Sequence, residues 1–495
     1  MGIIAKQSIK GTFYTYAGAA IGFINVGLLM PKFFRADEIG LISILISFTL
    51  IFSQISGLGF SAVITRIFPW FQDNEKKHNG ILSIGIITTG IGFTISLILI
   101  FALKDYLIYS KSGTSSLLES NFKYLPILVL FYVYFVLLDN YNKVLKDSVT
   151  GTFLRDFFVR VLNLLIILLY VFNITDFDNF VLLYVLVYIS PTLIIFTILL
   201  VRRNLLIGKI DKKIFSKHKK EMFFIGLFAI ISGFSWIAAA NIDKYMINYY
   251  LDLSSLGVYT VALSFGAMIS MPARPLRKIS SIIIAESWKK NDKEIIMQIY
   301  RKSSINLFLL SIFLFIGIWI NIDNVFKIIP NFAGGKYVFL FIGISGIIEM
   351  ASGTAALIIA NSKYFRYSAF IMIFVILLII ITNIIFIPIW KINGAAFASM
   401  ISILIAVIIR FFFLFYKFRF QPYNYKHLII TGIAVLLIIV NHFLPELNNL
   451  YIDFLYRSTI ITLIFSILIL KLKVSDDVTK YYKNIISHIG NIFKR

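Results

Sequence analysis

The amino-acid sequence predicts an all-α polytopic membrane protein with two six-helix lobes in a parallel pseudo-twofold repeat and two further C-terminal helices. Composition, the spacing of apolar segments and an internal repeat lead to this prediction. Hydrophobic residues make up 59% of the 495-residue chain, charged residues make up 14%, and the mean hydropathy is +0.88. A soluble domain cannot bury so much apolar surface, whereas a bilayer can cover it.

Apolar segments long enough to cross a bilayer, about 20 residues each, occur about 14 times. They lie at 12–34, 39–62, 80–103, 124–145, 152–172, 179–201, 222–241, 255–284, 303–320, 336–360, 367–388, 395–416, 428–443 and 451–470. The predicted domains are an N-terminal lobe (1–208), a basic cytoplasmic linker (209–221), a C-terminal lobe (222–420), two additional helices (421–473) and a basic tail (474–495).

The internal repeat begins in the second apolar segment. Ile39-Gly40-Leu41 through Ser47-Phe48 returns as Leu256-Gly257-Val258 through Ser264-Phe265, at an offset of 257 − 40 = 217 residues. Because six spans separate the two copies, both halves are expected to cross the membrane in the same sense. They would then be related by rotation about an axis along the membrane normal. Duplicated halves of this kind are typical of transporters.

Lysine and arginine are dense in alternate connections and in the tail, and this distribution accounts for the net charge of +23. By the positive-inside rule the dense connections are cytoplasmic, which places both termini in the cytoplasm and requires an even number of spans. We therefore expect membrane lipids, and no nucleic acid, as partners. The tail at 474–495 fits either an interfacial amphipathic helix or a disordered segment.

The strongest candidates for substrate binding lie near the cytoplasmic end of the eighth span, in Met271-Pro272-Ala273-Arg274-Pro275-Leu276-Arg277. The two prolines are expected to break the helix. Arg274 and Arg277 are three residues apart, and two guanidinium groups on a broken helix suit a pyrophosphate. Alternatively, these arginines reach the inner headgroups from an ordinary helix end.

Other cations lie on the same side of the membrane. The fifth span opens with Arg155 and Asp156, and Arg160 follows four residues after Asp156, so a structural Asp156–Arg160 pair is expected and Arg155 is the better substrate candidate. Arg66, just past the second span, and Lys143, at the end of the fourth, complete the predicted set. Positive-inside bias alone would produce the same pattern.

Three carboxylates are candidates for coupling to H+ or Na+: Glu349 near the middle of the tenth span, Asp139 in the fourth, and Asp156. For Glu349, a neutral carboxyl hydrogen-bonded at a close helix contact is the alternative, because Gly346 and Gly353 lie nearby. No other cofactor is expected. The chain has no cysteine, and its five histidines show no metal-ligand spacing.

No external connection is long enough for a catalytic domain, and the inner loops contain no P-loop, so we expect a protein that is not an enzyme and has no catalytic residues.

Two segments resemble bacterial polysaccharide flippases of the Wzx type, members of the multidrug/oligosaccharidyl-lipid/polysaccharide (MOP) exporter superfamily. The first runs from Gly2-Ile3-Ile4-Ala5-Lys6-Gln7-Ser8 through Gly22 and Asn25 to Phe33-Phe34 and Glu38-Ile39-Gly40, and the second from Asp243-Lys244-Tyr245-Met246 to Leu256-Gly257-Val258-Tyr259. The related MurJ-type lipid II flippases carry an Arg-Asp pair in their first helix, which this sequence lacks before Lys32.

The resemblance implies a flippase of the bacterial inner membrane, which translocates an undecaprenyl-diphosphate-linked oligosaccharide to the outer leaflet for surface polysaccharides such as O-antigen. It implies alternating access, cavity arginines that engage the pyrophosphate, here best matched by Arg274 and Arg277, and other polysaccharide assembly proteins as partners. Two rival functions are a multidrug exporter of the same superfamily and a membrane-embedded glycosyltransferase or polymerase. The exporter would need an acidic cavity, and the enzyme a large external loop or paired carboxylates.

Overall fold

All regular secondary structure is helical in the part of the chain that the computed structural model describes, namely residues 3–111, 113–475 and 477–480. No β-strand occurs in these ranges, so the predicted all-α fold class is confirmed. The chain divides into two compact units, Met1–Val261 and Ala262–Arg495.

The first unit contains two segments in which a π-helical turn, Ile24–Leu29 or Phe153–Phe158, joins two α-helices. Its α-helices are α1 (Ile3–Phe23), α2 (Met30–Phe33), α3 (Ala36–Ser56), α4 (Phe60–Phe71), α5 (Ile81–Ala102), α6 (Lys104–Ile108), α7 (Ser116–Asn121), α8 (Leu125–Val144), α9 (Val149–Thr152), α10 (Val159–Val171), α11 (Phe177–Val201) and α12 (Lys212–Tyr250). One buried hydrophobic cluster of this unit lies where α4 packs against α5, α8 and α11.

A further helix, α13 (Leu253–Ser270), begins in the first unit and ends in the second. The second unit continues with α14 (Ala273–Lys289), α15 (Lys293–Trp319), α16 (Ile322–Ile328), α17 (Lys336–Ala351), α18 (Ala355–Asn361), α19 (Phe365–Phe418), α20 (Tyr425–Phe443) and α21 (Leu450–Lys471). Here α17 packs between α15 and α19.

Twelve helical segments in the described ranges are long and apolar enough to cross a membrane, which makes the chain a multi-pass membrane protein. Two predicted spans, 367–388 and 395–416, both lie within the 54-residue α19. At about 1.5 Å per residue, α19 is more than twice as long as a bilayer core is thick, about 30 Å. Its backbone is non-helical at Lys391 (φ 52°, ψ −132°), and Gly394 lies against the carbonyl of Phe386, so the chain reverses there.

The predicted span 152–172, formed by α9, the π-helical turn Phe153–Phe158 and α10, is not among the twelve because Arg155, Asp156 and Arg160 place three charges in it. These two cases account for the difference between twelve segments and the predicted number, and fourteen spans remain a prediction.

Helix breaks interrupt three of the predicted spans. The first lies at Gly57–Gly59 between α3 and α4, the second at Met271–Pro272 between α13 and α14, and the third at 352–354 between α17 and α18. Gly59 (φ 68°) and Gly353 (φ 55°) adopt the left-handed conformation that favours glycine. The predicted spans 255–284 and 336–360 are therefore each made of two helices.

The basic segment predicted as a linker is largely helical. Residues 212–220 form the first turns of α12, and Asp211 caps this helix. Hydrogen bonds from the backbone N–H groups of Ile214 and Lys213 lower the pKa of Asp211. The division into compact units falls inside α13 at Val261, and the predicted domain limits remain predictions.

The predicted amphipathic segment 474–495 lies mostly outside the described residues. Its described beginning contacts α15, where the Ser475 hydroxyl donates to Asn306 (2.7 Å) and the Asn306 amide donates to Asp477 (2.8 Å).

The internal repeat is visible in α3 and in the first turns of α13. These helices begin at Ala36 and Leu253, and 253 − 36 = 217, the offset of the sequence repeat. The Thr260 hydroxyl donates to the Ser43 hydroxyl over 2.9 Å, and these residues are also 217 positions apart. Equivalent positions that touch each other lie on a local twofold axis.

Two repeat glycines allow this close contact. A Cβ on Gly40 would lie 1.9 Å from the carbonyl oxygen of Leu253, and a Cβ on Gly257 would lie 1.8 Å from that of Ala36. The two contacts are reciprocal, as a twofold relation requires. Inside a bilayer no hydrophobic effect drives helices together, so they associate through close packing. Small residues at the contact let the two backbones approach closely. This packing gives a physical reason for glycine at both copies of the repeat.

We expect Ser43→Cys/Thr260→Cys to form a disulfide in the otherwise cysteine-free chain, because the two side-chain oxygens lie within hydrogen-bond distance. Mild oxidation of membranes should shift the electrophoretic mobility of the double variant, and reductant should reverse the shift. Neither single variant should respond. Absence of the crosslink in the inserted double variant would contradict the contact.

We expect Gly40→Ala to destabilise the protein, because the added methyl group meets a backbone carbonyl that cannot move independently of its helix. Overpacking of this kind costs about 1–3 kcal/mol. Gly432→Ala in α20 is the matched control, since nothing lies within 4 Å of its Cβ position. Thermal denaturation in detergent should show a lower midpoint for Gly40→Ala only, and equal midpoints would argue against the tight crossing.

Candidate substrate-binding site

Two helix breaks of the second unit lie side by side. Ala273, the first residue of α14, packs with Met350, near the end of α17, and with Leu307 in one buried cluster. Pro272 caps α14 and Pro275 lies in its first turn, where a missing N–H costs no helical hydrogen bond. Discontinuous helices that meet inside a membrane are a common setting for transport sites.

A carboxylate between two arginines lies at these breaks. Arg277 on α14 binds Glu349 Oε1 through Nη2, and Arg410 on α19 binds Glu349 Oε2 through Nη1, each over 3.1 Å. We call Arg277, Glu349 and Arg410 the arginine–glutamate cluster. Their side chains are 32%, 24% and 12% exposed, so each keeps some uncovered surface.

The structure separates the two arginines predicted on the broken helix. Arg277 turns towards Glu349, whereas Arg274 is exposed and forms no ion pair within the described ranges. The phenol of Tyr423, in the connection between α19 and α20, lies near the cluster. Burial raises the pKa of Tyr423, and the charge of Glu349 adds to the rise.

The position of Glu349 differs from the one expected from the sequence. It lies near the end of α17 rather than at mid-span, because the predicted tenth span is broken at 352–354. Both of its oxygens accept from guanidinium groups, which can only donate. The neutral, hydrogen-bonded carboxyl considered from the sequence is therefore replaced by a carboxylate in two charge-assisted contacts.

Sequence reasoning missed Arg410. It interrupts the apolar run Ile408-Ile409-Arg410-Phe411 within the predicted span 395–416. The rule that selected Glu349, that an ionisable residue inside a span is a functional candidate, would also have selected Arg410.

In the first unit, Lys143 and Asp139 form an ion pair over 2.6 Å on successive turns of α8. They were predicted separately, as a substrate cation and as a coupling carboxylate. Asp139 is buried, and its Oδ1 atom has no hydrogen-bond partner among the described residues. A Cβ on Gly151 would lie 1.7 Å from this oxygen, so α9 closes over the carboxylate.

The predicted pair between Asp156 and Arg160 is wrong. Asp156 pairs with its neighbour Arg155 over 2.9 Å and accepts a hydrogen bond from Thr15 of α1. The π-helical turn Phe153–Phe158 changes the register, so positions four apart no longer share a face. The guanidinium of Arg160 instead lies against Gly22.

Arg66 lies on α4, where its side chain is exposed and no ion pair forms within the described ranges. The predicted substrate-binding cations of the first unit are thus the paired Lys143 and Arg155 and the exposed Arg66.

The fold is that of MOP-superfamily transporters. A structure of the lipid II flippase MurJ in its inward closed conformation matches with a TM-score of 0.73 and 15% identity, over 97% of this chain and 100% of that one. An inward-facing multidrug transporter of the MATE family matches with a TM-score of 0.62 and 15% identity, over 80% and 93%. A MOP-superfamily transporter from Pyrococcus furiosus matches with a TM-score of 0.53 and 14% identity, over 82% and 94%.

The family model for polysaccharide biosynthesis proteins matches residues 9–276, more than half of the chain. The protein therefore belongs to the polysaccharide biosynthesis protein family. Among curated protein sequences, none matches it significantly.

We expect Lys143→Met to destabilise the protein by about 3 kcal/mol, because it leaves the buried carboxylate of Asp139 without its cation. Adding Asp139→Asn, which removes the stranded charge at nearly constant shape, should restore most of the loss. The exposed Lys219→Met on α12 is the control. Chemical denaturation in detergent compares these three variants with the wild-type protein, and a double variant no more stable than Lys143→Met would contradict the pairing.

Proposed function

We propose that the protein is a flippase that moves an undecaprenyl-diphosphate-linked oligosaccharide from the cytoplasmic to the outer leaflet of the bacterial inner membrane by alternating access. The observation that carries the proposal is the cationic site at the two helix breaks of the second unit. Arg274, Arg277 and Arg410 outnumber Glu349, and together the four side chains carry a net charge of +2.

The chemistry of this site favours an anionic ligand with several oxygens. A guanidinium binds phosphate oxygens in a bidentate geometry, and inside a membrane such a contact replaces the water that the anion has lost. Arg274 lies at the start of α14 and is exposed, so we assign it the first contact with the diphosphate.

Membership of the polysaccharide biosynthesis family supports a saccharide cargo. The similarity to a lipid II flippase supports a lipid-linked one, because that relative's cargo is itself lipid-linked. Lysine and arginine in alternate connections support cytoplasmic termini, and with them a site that opens first towards the inner leaflet.

We assign any coupling to H+ or Na+ to Asp139. Of the three predicted carboxylates, Glu349 is held by two arginines and Asp156 by Arg155 and Thr15. Asp139 is buried and, within the described part of the chain, keeps one oxygen without a hydrogen-bond partner. A proton or a small cation at that oxygen would weaken the ion pair with Lys143.

A multidrug exporter is the rival function, because a MATE-family transporter has the same fold. An exporter of organic cations needs an acidic site, however, and the net charge of the cluster argues against that substrate class.

We expect purified protein in proteoliposomes to flip a fluorescent undecaprenyl-diphosphate oligosaccharide, and Arg274→Gln/Arg277→Gln to lower the initial rate at least about tenfold. Loss of two charge-assisted phosphate contacts is the physical reason. Lys290→Gln, which removes an exposed charge outside the site, is the control at matched insertion. Flipping by the double variant at the wild-type rate would move the site elsewhere. A wild-type protein that flips no such lipid but extrudes organic cations would support the rival.

A further inference from the structure

Among the residues that the structure describes, most hydrogen-bond donors of Arg277 and Arg410 find no acceptor. A guanidinium carries five N–H donors in a planar fork. Within the described part of the chain, each of these arginines donates a single hydrogen bond, and both bonds go to Glu349. Both side chains therefore keep donors available for another acceptor.

A second charged pair in the same unit contains an arginine that is saturated, in the sense that each of its guanidinium nitrogens donates a hydrogen bond to the protein. Arg457 on α21 donates through Nε to Asp453, through Nη1 to the backbone and side-chain oxygens of Asn441, and through Nη2 to the carbonyl of Pro445. Arg457 and Asp453 are 8% and 4% exposed. All three guanidinium nitrogens of Arg457 are used, as expected where an ion pair holds α21 to its neighbours.

The arginine–glutamate cluster differs from that pair in access as well. Its three members come from three helices that meet beside the paired breaks, and each keeps some exposed surface. One carboxylate between two guanidinium forks resembles a bound anion in charge and in donor geometry. The cluster is thus an anion site that a side chain of the protein already occupies.

We propose that Arg277 and Arg410 bind the diphosphate of the substrate together, and that Glu349 is an internal anion which the diphosphate displaces. The inference rests on the proposed function and adds two roles to it, that of Arg410 as a substrate ligand and that of Glu349 as a counter-anion. A diphosphate has more charge and more acceptor oxygens than a carboxylate, so it can satisfy donors that Glu349 leaves unused.

The exchange has a use in transport. In the empty carrier, Glu349 keeps two arginines from facing each other without an anion inside the membrane. Once the substrate is bound, the displaced carboxylate repels the diphosphate and weakens its binding. A carrier must release its substrate on the other side, so moderate affinity favours turnover.

A structural role for Glu349 and a role as a competing anion predict opposite effects of removing its charge. A purely structural glutamate predicts that Glu349→Gln lowers stability and leaves binding unchanged or weaker. A competing anion predicts tighter binding of the diphosphate, even where stability falls. The sign of the change in affinity therefore separates the two.

The test measures dissociation constants of the full-length protein in lipid nanodiscs for two probes, undecaprenyl diphosphate and inorganic pyrophosphate. We expect the Kd for undecaprenyl diphosphate to fall about tenfold in Glu349→Gln and to rise about tenfold in Arg410→Gln, with partial recovery in Arg410→Lys. Asp453→Asn is the matched control, because it loosens the saturated pair and should lower stability with no change in Kd. The pyrophosphate arm shows whether the headgroup suffices without the lipid.

An unchanged or higher Kd in folded Glu349→Gln, or an unchanged Kd in Arg410→Gln, overturns the inference while wild-type flipping leaves the proposed function standing. If Glu349→Gln does not insert stably, Arg410→Gln and Arg410→Lys decide. Tighter pyrophosphate binding by Glu349→Gln, in a protein that does not bind the lipid, supports the anion exchange and refutes the proposed function. No binding of either probe by any variant refutes both.

Discussion

A chain inside a bilayer must satisfy its backbone N–H and C=O groups within the protein, because no water is available there. Helices meet this constraint with their own hydrogen bonds, so each interruption of a helix needs cover from neighbouring segments. In the second unit, the break at Met271–Pro272 meets the break at 352–354 through Ala273, Met350 and Leu307. Charged side chains gather at the same place, where the helices no longer present only apolar faces.

The same helix break carries different chemistry in the two repeats. The break between α3 and α4 begins at Gly57 and that between α13 and α14 at Met271, an offset of 271 − 57 = 214, within a few residues of the repeat offset. A cavity of about 220 Å³ adjoins the first break, and its lining includes Gln54, Phe60 and Tyr132 but no charged side chain. A duplicated fold can thus keep its helix geometry while one copy acquires an ionic site.

The sequence predicted features that depend on local pattern. The repeat offset holds to the residue at the starts of α3 and α13, and Pro272 marks the α13–α14 break. The Asp156–Arg160 pair was wrong because a π-helical turn shifts the register, and no propensity in Phe153–Phe158 announces such a turn. The partners of Glu349 lie 72 and 61 residues away in the chain, so periodicity along one helix could not identify them.

Ion pairs inside a membrane protein are costly to desolvate, and their surroundings indicate what they are for. Asp453 and Arg457 are buried and rich in hydrogen bonds, and Arg457 connects α21 to the end of α20 and to the connection that follows it. Arg277 and Arg410 carry the same kind of charge but share one carboxylate and stay partly open. A site in which few guanidinium donors are bonded to the protein retains the other donors for a ligand. Because the carboxylate between the arginines already lowers their electrostatic cost, such a site can stand empty in the membrane and still bind an anion when one arrives.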